Sequence, residues 1–538
     1  MKMKLVPAST LLLAAIPGLL TKTASAKPHS IKVETISSMI SAAYNNQTIP
    51  PPGAALIVVH EPLSQRLLVV NQAAKRVNVF NISTPAFPSE EFFIDMSIYG
   101  GMPTSVAVKD GLLAVALTGS VGITAPGSVI FFQMASAGNS AVTHLATIPV
   151  GSLPDMITFT PNGRYLLSAN EGEPSPDYTV DPEGSISIID IERNFHVTTA
   201  GFTAFNSHAG ALRSEQGVRL FGPNATVAQD LEPEWITVSH DSKTAWVTLQ
   251  ENNAIAIIDI PTRSVRAIKG LGTKNHALPG NEFDASDKDG RINITNWPVE
   301  GLYQADAVEV YRVQGQDFLV MANEGSARDT PASVNEEARV FDLILDPIKF
   351  PSPQASELKK LANLGRLRVS KTTGDTNGDG TIDVLQSFGG RSFTIRTGSG
   401  DLVWDSGSQF ENIIAQLYPA NFNTGNTTNA FDDRSDDKGP EPEGVALGKA
   451  FGRQYAFIAL ERIGGFFVYD ISDPRMPEYV DYVNNRNFAV APALKAAGDL
   501  GAEGITFINA ENSPNGAPLI VVANEISGTT TIFQIRNL

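Results

Sequence analysis

Five acidic residues stand at equivalent points of a recurring sequence unit. Asp155, Glu234, Asp306, Glu443 and Glu503 each precede a short apolar stretch. A second apolar stretch follows in each unit and ends on Asn170-Glu171, Gln250-Glu251, Asn323-Glu324, Leu460-Glu461 or Asn524-Glu525. Carboxylates gathered around one axis repel, and the repulsion is relieved by a cation or by raised pKa values. The alternative expectation is structural: such side chains also cap turns and hold backbone amides of neighbouring units. Leu56 and Thr104 occupy the comparable places in the first two units, so any site built here is asymmetric.

Two further clusters are rich in oxygen ligands. In GDTNGDGTID, residues 374–383, Asp375, Asn377 and Asp379 alternate, Gly380 permits a sharp turn, and Asp383 closes the run. Calcium takes several oxygens from a loop that folds back on itself, and this spacing supplies them. Position twelve of the loop is Gln386 rather than a bidentate glutamate, so affinity or geometry must differ. DASDKDGRIN, residues 284–293, repeats the theme less regularly with Asp284, Asp287 and Asp289. Calcium is therefore the expected cofactor, with Asp155, Glu234, Asp306 and Glu503 as further candidate ligands on the axis. Both loops also read as simple Asx turns.

The elements that must position these groups are short strands. Each unit reads strand, turn, strand, turn, strand, and seven units are found, beginning near Ala55, Thr104, Asp155, Glu234, Asp306, Glu443 and Glu503. Short β-rich units repeated about 40 or more residues apart indicate a β-propeller. The expectation is an all-β, seven-bladed propeller over residues 27–538, with a long insertion, residues 345–438, between blades five and six. EARVFDLI, residues 337–344, is expected as the third strand of the fifth unit. IKVETIS, residues 31–37, is expected to add a strand to the last blade and close the ring. The best helical patterns are SELKKLANLGRL from Ser356 and QFENIIAQLY from Gln409, both inside the insertion.

Composition narrows the class. The chain is 42% hydrophobic and 18% charged, with net charge −17. Such a surface disfavours nucleic acid and anionic lipid and favours cations. With no cysteine, disulfides and thiolate chemistry are excluded. Residues 1–26 carry Lys2 and Lys4, an apolar run broken by Pro17, and Ala24-Ser25-Ala26, the pattern of a cleaved export signal. Its apolar run is too short to span a bilayer, and no later stretch qualifies. A secreted, extracellular or periplasmic monomer without membrane insertion is the expectation.

Several motifs together resemble one family. NEGEP, NEGSAR, FDASDKDGRINI, GDTNGDGTID followed by FGGRSFTI, LVWDSGSQFE, GPEPEGV and ERIGGFFVYDISDP look like the choice-of-anchor I family. That family is similar to the mesenchyme-specific, MSP130-like cell-surface glycoproteins of biomineralising animals. The resemblance implies a β-propeller exported to the surface or the medium; with the acidic repeat and the Asp-rich loops, the expected role is calcium-dependent binding at or near the cell surface. The resemblance also implies, through members labelled alkaline phosphatase, a calcium-dependent phosphomonoesterase as the rival. Family members commonly carry a C-terminal anchor; this chain stops at Leu538 directly after its last strand, which predicts release or retention by something else.

A phosphatase of this kind needs carboxylates for calcium, a bound water as nucleophile, and cations for phosphate. Glu171, Glu324 and Glu443 with Arg328 and Arg462 are the candidate catalytic groups, although arginines among acids more often form structural ion pairs. No Ser-His-Asp, HExxH or phosphate-loop signature is present. The expected partners are cations, together with a phosphorylated small molecule or an extracellular matrix component.

Overall fold

The computed structural model describes residues 31–44, 49–135, 141–328 and 335–538. The export signal expected at residues 1–26 lies outside them. Strands dominate because most runs are apolar on both faces. RLLVVN (Arg66–Asn71), YLLSAN (Tyr165–Asn170) and LIVVAN (Leu519–Asn524) are buried at every position. A strand hidden on both faces needs a sheet packed on each side.

Among the described residues, seven four-stranded antiparallel sheets supply that packing. Their first strands are Val58–Glu61, Pro103–Lys109, Pro154–Phe159, Pro233–Val238, Val308–Val313, Pro442–Ala450 and Ala502–Ile508. These first strands touch one another in cyclic order, the last meeting the first, and all seven line one central cavity. Between each pair of neighbouring sheets lies its own apolar cluster. Leu68, Val77, Leu113 and Val115 join the first and second sheets, and Val69, Phe80, Val521 and Ile532 join the seventh and first. The arrangement is a β-propeller.

The ring is closed by the chain's beginning. Ile31–Ile40 pairs antiparallel with Thr529–Asn537, as expected for IKVETIS, so the seventh sheet is completed by both ends of the chain. At the axis the inner strands approach so closely that side chains are excluded. A Cβ on Gly444 would lie 2.3 Å from the Glu503 carbonyl oxygen, and one on Gly504 would lie 2.5 Å from that of Leu56. Gly504 N–H donates to that Leu56 carbonyl at 3.0 Å, a direct bond across the closing seam.

The fifth sheet departs from expectation. Its third and fourth strands are Ser392–Thr397 and Leu402–Asp405, so residues 345–438 are not one insertion between sheets. EARVFDLI instead supplies Glu337–Arg339 and a 3-10 turn, Val340–Asp342. That short strand joins Thr273–Asn275, Glu300–Leu302, Arg368–Ser370 and Gln386–Ser387 in an additional five-stranded sheet. The added sheet has its own core of Phe283, Val340, Leu364, Leu367 and Val369. Of the two helical patterns, QFENIIAQLY forms a helix over Gln409–Leu417, packed through Phe410 and Ile414. The other yields only Gln354–Leu358. No helix among the described residues is long and apolar enough to cross a membrane.

Ring closure by Ile31–Ile40 makes that strand a sensitive point. Val33 is buried against Phe533 and Ile535. Val33→Asp places an unpaired charge there and is expected to cost about 3 kcal/mol or more, read as a lower urea midpoint with an unchanged slope.

Candidate metal centre

The backbone aims the five acids at the axis by a repeated device. In four of the seven sheets the acid opens a β-bulge: pairing of first and second strands slips between Pro154 and Ile157, Pro233 and Ile236, Pro442 and Val445, and Ala502 and Ile505. Bulges re-aim side chains. Two residues ahead of the acid the chain turns left-handed at Leu153 (φ 48°), Gln304 (φ 42°), Glu441 (φ 50°) and Gly501 (φ 70°). Three of these are not glycine, a strain that surrounding structure must hold in place. The second sheet shares the bulge but carries Thr104, whose hydroxyl donates to the Pro154 carbonyl at 2.5 Å. Asparagines ending the second strands are structural: Asn170 donates to Ser185 and Ser187 at 3.2 and 3.0 Å, and Asn323 donates to the Ser392 carbonyl at 2.9 Å. The glutamates that follow them turn to the axis.

Two triads of carboxylates result, each with oxygens all within 4.8 Å of one another: Asp306, Glu324 and Glu443, and Glu324, Glu441 and Glu461. They share Glu324 and differ in what already neutralises them. Lys438 Nζ lies in the second triad, paired with Glu324 and 3.0 Å from Glu441. Arg434 reaches Glu441 at 2.6 Å, Arg462 reaches Glu441 and Glu461 at 2.8 Å each, and Asn426 donates to Glu461 at 3.0 Å. Three acids therefore face three basic groups. In the first triad only Glu324 has such help, from Lys438 and from Gln250 Nε2 at 2.8 Å. Glu443 Oε2 is buried with no partner, and the Asp306 and Glu443 carboxylates stand with oxygens within 4.8 Å of each other and no base between them among the described residues.

Electrostatics follow from this imbalance. Burial, then the charges of Glu324, Asp306, Glu503 and Glu461, pushes Glu443 well above the ordinary carboxylate range. Burial with Asp306 and Glu251 lifts Asp155 to about 7. Glu234, Glu171 and Glu503 are raised well above the usual value by burial and by their acidic neighbours. Glu461 is pushed up to about 8, burial leading and Glu441 next. Only Glu441 is held low: burial opposes this, and Lys438, Arg434 and Arg462 overcome it. Glu171, Glu234 and Glu251 line an adjoining cavity of about 450 Å³, where Glu234 Oε2 and Glu251 Oε2 are also buried without partners. The assembly can take up a divalent cation or hold protons in its place.

The structure thus brings Asp155, Glu171, Glu234, Asp306, Glu324, Glu443 and Glu503 into one acidic assembly, with Arg462 at its edge. The remaining predicted residues lie elsewhere. Arg328 is spent on the wall of the adjoining cavity. It is paired with Asp230, 3.0 Å from Glu232, and bonded to the Asp230 carbonyl at 2.6 Å, above the Phe221 ring. Asp375 accepts from Gly378 N at 2.7 Å and Gly380 N at 2.9 Å. Asp379 accepts from Thr381, and Asp383 from Thr376 and from Asn377 Nδ2, so that loop is a chain of Asx turns. In the other loop Asp287 is paired with Lys288 and Arg366, and Asp289 with Arg291. Asp284 is fully buried and bonded to backbone amides of Ser286 and Asn293, and burial raises it to about 7.

Lys438 and Arg434 are not among the residues expected from the sequence, and Gln250 is expected only as a strand end. Lys438 and Arg434 sit on a loop without periodicity; the signal present is the charge-dense run DDRSDDKGPEPEG, residues 432–444, which runs through Glu443.

Comparison with known proteins adds the lineage. A choice-of-anchor I domain matches residues 57–474. Gigasin-3a from Magallana gigas is 33% identical over 202 residues, covering 35% of this chain and 69% of that protein. The mesenchyme-specific cell surface glycoprotein of Strongylocentrotus purpuratus is 26% identical over 333 residues, 56% of this chain. The match spans 42% of that longer relative. Similar solved structures include the Kuenenia stuttgartiensis hydrazine synthase, with TM-score 0.46, 13% identity and coverage of 91% of this chain and 97% of that one. Streptogramin B lyase is another, with TM-score 0.44, 10% identity and coverage of 95% and 98%. With the domain match running through most of its length, the chain belongs to the choice-of-anchor I family.

Proposed function

We propose that the protein is an exported, calcium-binding propeller of seven blades that works by binding at or near the cell surface. The added sheet is then an insertion carried largely within the fifth blade. The observation that carries the reading is the Asp306–Glu324–Glu443 triad: three converging carboxylates, one oxygen of which is buried without a partner. Hard oxygen donors of this kind suit calcium. Asp306, Glu324 and Glu443 would hold the ion, with Glu503 of the seventh blade and Asp155 of the third adding to the crowding of acids around it. Lys438 already fills the second triad, so a single axial ion is expected. The 374–383 and 284–293 loops are proposed as secondary calcium sites. The sea-urchin relative's description as a cell surface glycoprotein supports the location.

Binding is favoured over phosphoester hydrolysis by the state of the basic groups. Arg328 and Arg462, which a phosphatase would turn on phosphate, are engaged with Asp230, Glu232, Glu441 and Glu461. Calorimetry on chelator-treated protein is expected to show calcium binding that Glu443→Gln weakens at least about tenfold, ~1.4 kcal/mol. Binding unaffected by that change would remove the triad from the account. Activity on a phosphomonoester that survives chelation and Glu443→Gln would likewise contradict it.

The pH dependence has a definite sign. Asp155 and its neighbours have folded pKa values above those of the unfolded chain, so the folded protein binds more protons between the two values and loses stability as pH rises through that window. For Asp155 the window runs from the ordinary aspartate value of 3.8 to about 7. With chelator present, the melting temperature is expected to fall between pH 5 and pH 8. Calcium is expected to raise it most at pH 8, where it replaces the missing protons. A melting temperature independent of calcium at pH 8 would refute this.

A further inference from the structure

Several of the inner strands carry a basic or imidazole side chain at or just beyond the end far from the axial acids. Six residues beyond Glu234, Asp306 and Glu443 stand His240, Arg312 and Lys449, and Lys109 ends the first strand of the second sheet. At about 3.3 Å per residue the two ends lie roughly 20 Å apart. In a protein of net charge −17, this end gathers Lys109, Arg312, Lys449, His60 and His240.

These residues line the central cavity, about 810 Å³ in volume. Its inner wall is apolar and aromatic, with Ile57, Met156, Trp235, Leu447, Ile505 and Phe507. Phe507 is fixed in place: its ring stacks on Phe457 at 5.8 Å, and the space it fills is left by Gly448, where a Cβ would meet the ring at 2.3 Å. Trp235 Nε1 is buried without a hydrogen-bond partner. Of the bases, Arg312 is turned towards Asp317 at 3.5 Å, whereas Lys109 and Lys449 form no ion pair among the described residues. Two acids line the cavity. Asp317 is thus paired, and Glu309 accepts from Thr237 at 3.2 Å and is lifted by burial to about 7, so it is mostly uncharged at pH 6.

We infer that this end of the channel is a second binding site, separate from the acidic assembly, for a small organic anion with an apolar body. The body lodges against Met156, Trp235 and Phe507, and the anionic group is met by Lys109 and Lys449. The size suits such a ligand, since small-molecule pockets run to about 300–1,000 Å³ with an apolar lining and few polar anchors. The charge contrast along one channel explains why it takes an anion in a protein that otherwise repels them.

The probe is 8-anilinonaphthalene-1-sulfonate, titrated by fluorescence at pH 6 into the folded protein. Saturable binding at one site per chain is expected. The double change Lys109→Ala with Lys449→Ala should weaken it at least about tenfold, and Glu443→Gln should leave it within about twofold. The uncharged analogue N-phenyl-1-naphthylamine should bind more weakly and be indifferent to the double change. Raising the salt concentration on the unaltered protein gives the same comparison without substitutions, weakening the sulfonate alone. Absence of saturable binding, equal affinity in the double variant, or equal affinity of both probes across salt would overturn the inference. Loss in Glu443→Gln as large as in the double variant would place the probe at the acidic end and overturn it too.

Discussion

Crowding of like charge on the axis is the constraint on which the rest of the molecule depends. Ring closure brings seven inner strands to one line, and five of them deliver a carboxylate to the same end. Burial then removes the water that would screen those charges. The protein meets the resulting cost in two ways. On the side of the sixth sheet it supplies fixed cations, Lys438, Arg434 and Arg462, against Glu324, Glu441 and Glu461. Around Asp306 and Glu443 it supplies none among the described residues beyond the reach of Lys438 to Glu324, and burial raises both carboxylates above their ordinary range. The uncompensated half is the part with chemistry left to do.

That division sets the limits on function. A group whose charge is already balanced by a neighbouring lysine gains little from a metal ion, whereas an unpartnered buried oxygen gains much. Robustness of a chain without disulfides rests on the same features: seven interlocked apolar clusters, a seam closed by Ile31–Ile40, and an axial assembly that a cation would tie together. The inner strands also carry a second polarity: the acids stand at their starts, while Lys109, Arg312 and Lys449 line the central cavity towards the opposite ends.

Much of the plan was legible in the sequence because the unit is local. A strand, a turn and a strand within about twenty residues declare themselves by alternation and by turn residues, and Asp155, Glu234, Asp306, Glu443 and Glu503 stand at matching points within them. The third strand of the fifth sheet was not legible. Residues 324–391 separate it from its partner strand, and both EARVFDLI and SFTIRT look like strands when read alone. Local pattern cannot rank two such segments when pairing is decided by a long excursion through another sheet. Lys438 escaped for a related reason: its role comes from a loop folding back on the axis. In the 284–293 loop the spacing of the acids is plain in the sequence, whereas the pairing of Asp287 with Arg366 joins segments far apart in the chain and is not.

We propose the uncompensated Asp306–Glu324–Glu443 triad as the calcium site. Anomalous diffraction from crystals soaked in calcium, or in a lanthanide in its place, tests this most directly. The account predicts an anomalous peak on the axis within ligand distance, about 2.3–2.6 Å, of oxygens from Asp306, Glu324 and Glu443. Peaks confined to the 374–383 or 284–293 loops, with the axis empty, would contradict it.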